Sequence, residues 1–418
     1  MPRLAKECMK SRRDFLKTTG GLVLATGGSW LAGQAHGTDE VLGPAELPEG
    51  TLSASLLEAL PGKVPLIKKS WRPPNFETPV SYFNDVFTRN DAFFVRYHLA
   101  NIPEVAAAGW QVKVGGEAVE KPLQLTLDNL KNDYEQVEIA AVCQCSGNRR
   151  GMFVPHVPGV EWGPGAMGNA RWKGARLKDV LTKAGLRKDA LEIVFDGADS
   201  GLFPATPDFV KSIPVWKAMD ENTLIAWQMN GQPLPHWNGF PARIVVPGWT
   251  ATYWMKQLTS INAVTKPFDG FWVKSAYRIP RGKFPVVDRF ISQETEVNTP
   301  ITEMVVNSLM TNISNGMRAT RRQAFEVKGI AWDGGYGISR VEVSVDGGQS
   351  WRSATLGQDY GRFSFRPWSY RVTPTQRVPL TVMARASNRA GATQTFELIT
   401  NPAGYHHNVV QRISLNIA

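Results

Sequence analysis

The sequence predicts a mixed α+β domain followed by a β-sandwich. Two observations carry this. From Asp91 to about Thr265, short β-like runs alternate with short helical patterns, too irregularly spaced for a βαβ repeat. After Gln323 the pattern changes to short strands at regular spacing, as in a sandwich. The 418 residues suffice for two or three domains with their own cores. With 43% apolar and 20% charged residues, the composition is that of a folded globular chain. Three cysteines exclude a disulfide-built scaffold and a four-cysteine zinc site. The sequence holds no CxxCH heme attachment.

The elements follow in chain order. Residues 1–37 hold six basic and two acidic residues, +4 of the formal net charge of +10. An apolar, Gly-rich run follows from Gly20 to Gly33, and Gly33 and Ala35 fit a cleavage site. The run is too short to span a bilayer as a stable helix. Ser11-Arg12-Arg13-Asp14-Phe15-Leu16-Lys17 resembles the twin-arginine (Tat) motif of bacterial export signals. A periplasmic location is therefore expected, by way of the Tat machinery, with no membrane span in the mature chain. Residues 38–90 are Pro-rich and read as an extended arm. The α+β domain is placed at 91–300 and the sandwich at 301–418.

Within the first domain, Trp110 to Val114 alternates and ends at Gly115-Gly116, a strand and turn. Thr126 starts a capped helix. Val137 to Val142 is an apolar strand running into Cys143-Gln144-Cys145. Leu177 to Ala184 is a short helix stopped at Gly185. Ile193 to Phe195 and Arg243 to Pro247 are strands. Residues 266–322 show few clear periods. In the sandwich, Phe325 to Gly329 and Val341 to Val345 alternate, and Asp346-Gly347-Gly348 is a hairpin turn. Val378 to Leu398 supplies further strands.

The stretch richest in chemistry is Cys143-Gln144-Cys145-Ser146-Gly147-Asn148-Arg149-Arg150. A thiol at a strand end, before two arginines, is in an electropositive place. That favours the thiolate, the form that binds soft metals. The arginines can also hold an oxyanion by forked hydrogen bonds. On the residues alone, a buried structural thiol is the commoner use of such a cysteine.

Cys145 to Arg150 resembles the molybdenum-ligand motif of the sulfite oxidase family. Phe93-Phe94-Val95-Arg96-Tyr97-His98 is similar to the family's Phe-Phe-x-Arg-x-His segment. The stretch from Ala170 to Leu177, the block Met229-Asn230-Gly231-Gln232-Pro233-Leu234-Pro235, and Trp272 to Tyr277 match in order. Gly329 to Gly335 resembles the family's dimerisation domain. The resemblance implies a molybdopterin domain followed by an immunoglobulin-like sandwich, and a homodimer. It implies oxidation of sulfite to sulfate at one molybdenum-molybdopterin centre per chain.

The roles that follow belong to the resemblance. Cys145 supplies the thiolate to molybdenum. Cys143 is the rival ligand, read as a neighbour on the opposite strand face. Arg96, Arg150 and Tyr277 surround the substrate oxyanion. His98 shares a strand face with Arg96 and is either a catalytic or cofactor contact or a core histidine. Phe94, Arg96, His98, Asn238, Arg243 and Lys256 contact the cofactor, the last two near its phosphate. Asn238 stands where many family members have a histidine. Trp162 either walls the pocket or packs in the core, and Arg149 is structural. Arg366 either adds a positive group or lies on the surface, and His406-His407 is read as a solvated pair. With no heme in the chain, the electron acceptor is expected to be a separate c-type cytochrome; no nucleic-acid partner is expected. Two alternatives remain: a molybdopterin-dependent reductase of S- or N-oxides such as methionine sulfoxide, and a metal-free secreted binding protein.

Overall fold

The computed structural model describes residues 56–285 and 287–418. The leader, and with it the Tat motif, lies outside the described residues, as does the first part of the arm. Among the described residues, no helix is long and apolar enough to cross a membrane.

Strands dominate. The helices are fewer and shorter than a mixed α+β reading suggests. Leu177–Lys183 and Leu127–Asn132 span only seven and six residues. The second starts where its sequence says it should. The Thr126 hydroxyl accepts from Asn129 N–H at 3.1 Å, and the Asn129 side chain accepts from Thr126 N–H in return. This capping box satisfies donors that a helix end leaves open.

Two sheets build the first domain. One runs in the order Lys211–Pro214, Glu192–Gly197, Leu258–Val264, Gln111–Gly115, Leu123–Thr126. Only the pair Leu258–Val264 with Gln111–Gly115 is parallel in it. The other runs Gln232–Pro233, Leu224–Met229, Met167–Arg176, Gln136–Gln144, with Arg243–Val245 also on Leu224–Met229. Strand Gln136–Gln144 is exposed at its start and buried over its last four residues, so it carries the cysteines into the core. The main core holds Trp162, Trp172, Trp249 and Trp254, all nearly inaccessible. Burying a large apolar side chain of this kind contributes roughly 1.5–3 kcal/mol.

The described part of the arm is paired as well as extended. Leu57–Glu58, Leu66–Ser70 and Asn75–Glu77 form a four-stranded sheet with Val95–Arg96. Leu66, Phe76, Val95 and Tyr97 give it a small core. The strands are too short to show a period in the sequence. Their effect is to fix Arg96.

The C-terminal region has two facing sheets. One contains Asn307–Met310, Phe325–Trp332, Arg366–Val372 and Thr355–Leu356. The other contains Arg318–Ala319, Gln411–Ile417, Leu380–Asn388, Ile338–Ser344 and Arg352–Ser353. Val327, Ala331 and Trp368 of one meet Val341, Val382 and Leu415 of the other in a common core. Two of these strands, Asn307–Met310 and Arg318–Ala319, come from the stretch that shows few clear periods in the sequence.

Gly168 is a point where packing leaves no room. A Cβ there would lie 2.4 Å from Phe93 Cε2. Gly168→Ala is expected to cost ~1–3 kcal/mol by overpacking, read as a lower melting temperature. An unchanged melting curve would contradict this.

Candidate active site

Strand Gln136–Gln144 hands over to a turn in which Cys145 N–H donates to Ala166 O at 2.9 Å and Asn148 N–H to Cys145 O at 3.0 Å. Arg149 then takes a left-handed conformation, φ 66°. Its guanidinium donates to Asn307 Oδ1 and Ser308 O, both at 2.8 Å. Arg149 thus ties the turn to the C-terminal sheets, as a structural residue should.

A cavity opens beside this turn. Phe94, Arg96, His98, Cys145, Asn238, Arg243, Lys256 and Tyr277 all line it. These come from four separate stretches, brought together by the arm sheet, the cysteine strand, the 238–256 segment and the turn after Phe271–Lys274. Phe209, Trp237 and Trp254 add apolar wall that sequence reasoning missed. Nothing in their local pattern separates them from ordinary core residues.

Three expectations need correction. Cys143 is not on the opposite face from Cys145, for both line the cavity. Residues two apart on a strand share a face. It is Gln144 between them that points away, accepting from Trp332 Nε1 at 2.6 Å. Arg150 stands behind the cavity wall, from where its charge still reaches Tyr277 and His98. Its Nε donates to Ala403 O at 2.8 Å, and its guanidinium lies 5.2 Å from the Tyr405 ring centroid. His406-His407 is buried, not solvated, with the rings against Phe284 and Phe153. The open choices also close. Trp162 is core. Arg366 pairs with Asp359 at 2.8 Å, off the cavity wall.

One end of the cavity is built around Tyr277. Its hydroxyl shares a hydrogen bond with His98 Nε2. His98 stacks on Phe209 at 3.7 Å, with the planes 11° apart. Burial, followed by the nearby charges of Arg96, Lys256, Lys211 and Arg150, holds His98 well below its usual pKa. The imidazole is therefore neutral near pH 7. Burial pushes the Tyr277 phenol up, against the opposing pull of Arg96. The phenol thus stays protonated and can donate.

The 238–256 segment gives the cavity its cations. Arg243 is buried, 5.1 Å from the Trp172 centroid and 5.7 Å from that of Trp254. It donates to Asn238 O at 2.9 Å and Trp254 O at 3.0 Å, and one nitrogen stands 3.9 Å from Cys143 Sγ. Lys256 Nζ donates to Arg96 O at 3.0 Å, and burial, partly offset by Asp199, brings its pKa down to about 8. An anion placed here would keep that ammonium charged.

Asn238 is held from behind by Lys63, which no sequence feature marks. Lys63 Nζ donates to Asn238 Oδ1 at 2.6 Å, Asn90 O at 2.6 Å and Phe93 O at 3.0 Å. Burial lowers its pKa from 10.5 to about 7, with Asp91 opposing. The unfolded chain therefore binds more protons between these values. The contribution of Lys63 to stability is full above pH 10.5 and is lost as pH falls to about 7. The melting temperature of the native protein is expected to gain on that of Lys63→Met as pH rises from about 7 to about 10. A difference that stays constant with pH would contradict this.

The donor set fits a molybdenum-pterin group. A soft thiol faces the cavity, cations line it as well, and aromatic walls suit a planar ring system. Among the described residues, no cluster of three or more His, Cys, Asp or Glu converges. The thiols are thus the soft donors on this wall.

The chain is similar to known proteins in sequence and in fold. Residues 98–272 match the oxidoreductase molybdopterin binding domain, and residues 298–418 match the Mo-co oxidoreductase dimerisation domain. The chain is 33% identical over 365 residues to mitochondrial sulfite oxidase of Rattus norvegicus, covering 83% of this chain and 65% of the rat protein. It is 32% identical to sulfite oxidase of Gallus gallus, covering 83% of this chain and 80% of that one. The chain thus spans about two thirds of the rat relative's length. In fold it is similar to the sulfane dehydrogenase SoxCD from Paracoccus pantotrophus, with a TM-score of 0.71 at 23% identity, over 84% of this chain and 88% of that one.

Proposed function

The chain belongs to the sulfite oxidase family of molybdopterin-dependent oxidoreductases, and from that premise we propose that it is an exported sulfite dehydrogenase. It oxidises sulfite to sulfate and passes the electrons to a separate c-type cytochrome. The observation that carries this is the convergence of Cys145, Arg96, His98 and Tyr277 with Arg243 and Lys256 on one cavity. Export rests on the basic leader with Ser11 to Lys17. Residues 298–418 support a homodimer.

Cys145 would hold the metal by its thiolate, and Arg243 and Lys256 would hold the cofactor phosphate. When bound, the molybdenum-pterin group supplies the two-electron oxidation and the oxygen transfer. Arg96 offers a charged fork to the oxygens of the anion. Tyr277 donates its hydroxyl hydrogen to the same anion, and neutral His98, in the tautomer that carries its proton on Nε2, donates to the phenol oxygen and orients it. Phe94, Phe209 and Trp254 keep water out, so each charge on the wall acts in a lower dielectric.

One observation favours a second reading. With Arg150 set behind Tyr405, Arg96 is the guanidinium on the wall beside Tyr277, and Arg150 acts there by its charge alone. A single guanidinium among aromatic walls also suits a neutral S-oxide, reduced rather than oxidised. Anaerobic assays of the purified protein decide between them. Sulfite should drive reduction of a c-type cytochrome, and methionine sulfoxide should not reoxidise a reduced dye. The reverse pattern would replace sulfite oxidation by the reductase reading. With oxygen as sole acceptor turnover should be slow; rapid oxygen-linked turnover would remove the need for a separate carrier.

A further inference from the structure

Tyr277 is not positioned by its own domain alone. Tyr405 belongs to the segment between strands Leu380–Asn388 and Gln411–Ile417 of the C-terminal sheets. Its ring stacks on that of Tyr277, with centroids 5.7 Å apart and planes 8° apart. Asn401 clamps it by its backbone. Tyr405 N–H donates to Asn401 Oδ1 at 3.0 Å, and Asn401 Nδ2 donates to Tyr405 O at 2.9 Å.

Arg150 supports the same ring. Its guanidinium lies 5.2 Å from the Tyr405 centroid, a cation–π distance. The seat of Arg150 is built by glycines. A Cβ at Gly147, Gly159 or Gly404 would come within 2.8, 2.6 or 2.8 Å of Arg150 atoms. Arg150, Tyr405 and Tyr277 therefore form a column. It runs from the cysteine turn, through the C-terminal domain, to the hydroxyl that meets His98.

Tyr277 needs such support. Its φ of 60° is uncommon for an aromatic residue. A residue held there persists only where its surroundings over-determine it. The bond from Ile301 N–H to Tyr277 O fixes the backbone and the His98 bond holds the hydroxyl, but neither sets the plane of the ring.

We propose that Tyr405 is a positioning residue of the active site, holding the Tyr277 ring so that its hydroxyl faces both His98 and the substrate. This rests on the role given to Tyr277 above. The column uses the face of the Tyr405 ring, so phenylalanine preserves it and leucine does not. In the molybdenum-loaded enzyme, Tyr405→Leu is expected to lower kcat by ~10–100-fold with KM changed less than about threefold. Tyr405→Phe should stay within about twofold of native.

A second readout does not use activity. In protein labelled with 3-fluorotyrosine, the Tyr277 resonance is identified by its loss in Tyr277→Phe. It should move in Tyr405→Leu and not in Tyr405→Phe. Melting temperature and molybdenum content show whether each variant is folded and loaded. A folded, loaded Tyr405→Leu with native kcat and an unmoved Tyr277 resonance overturns the proposal. So does Tyr405→Phe with a tenfold loss, which decides the matter alone if the leucine variant does not fold. A native enzyme without sulfite turnover contradicts the proposed reaction instead, and the fluorine signal then decides the positioning role.

Discussion

Cys145→Ser is expected to give a folded protein that lacks molybdenum and has lost sulfite-dependent turnover by at least ~10³-fold. The substitution swaps a soft donor that ionises readily for a hard hydroxyl that does not. The local geometry should survive. The turn is held by Cys145 N–H to Ala166 O and Asn148 N–H to Cys145 O, which are backbone bonds. Metal content, turnover and melting temperature on one preparation check all three statements. The companion variant Cys143→Ser tests the choice between the two thiols on the cavity wall. Cys145, not Cys143, opens the turn that leads to Asn148, Arg149 and Arg150, so Cys143→Ser should keep its metal. Loss of metal from Cys143→Ser but not from Cys145→Ser would exchange their roles.

Arg96→Met should produce the second large effect, a fall in kcat/KM for sulfite of ~10²–10³-fold, that is ~3–4 kcal/mol of lost transition-state stabilisation. Arg96 is pinned by Asn75 Oδ1 at 3.1 Å and stands beside Tyr277. It contributes both charge and direction, so Arg96→Lys should not restore the rate. A lysine presents a point charge in place of a planar fork. Arg150→Met should be milder in KM, because Arg150 acts from behind Tyr405. Steady-state kinetics at two ionic strengths separate these effects. If Arg150→Met raised KM more than Arg96→Met, the substrate end would have been assigned to the wrong arginine.

Local pattern made a good part of the molecule readable. The apolar strand leading to Cys145, the cap at Thr126 and the alternation from Phe325 to Gly329 all depend on neighbours in sequence, and all are present. The same holds for the site residues in short ordered blocks. Eight of them reach one cavity. What was not readable depends on distant contacts. The orientation of Arg150 follows from Ala403 and Tyr405, some 250 residues away. Lys63 joins the site through Asn238, 175 residues further on. The buried state of His406 and His407 follows from Phe284 and Phe153, which no spacing rule connects to them. The face shared by Cys143 and Cys145 is a different case. Strand periodicity was enough to place them together, and the expectation of opposite faces overlooked it.

The proposed reaction is tested most directly by two quantities from one purified sample, the molybdenum bound per chain and the rate at which sulfite reduces a c-type cytochrome. Close to one molybdenum per chain is expected, with a sulfite-dependent rate that rises in proportion to that content. Sulfite-dependent turnover in protein free of molybdenum, or fully loaded protein that sulfite does not reduce, would contradict it.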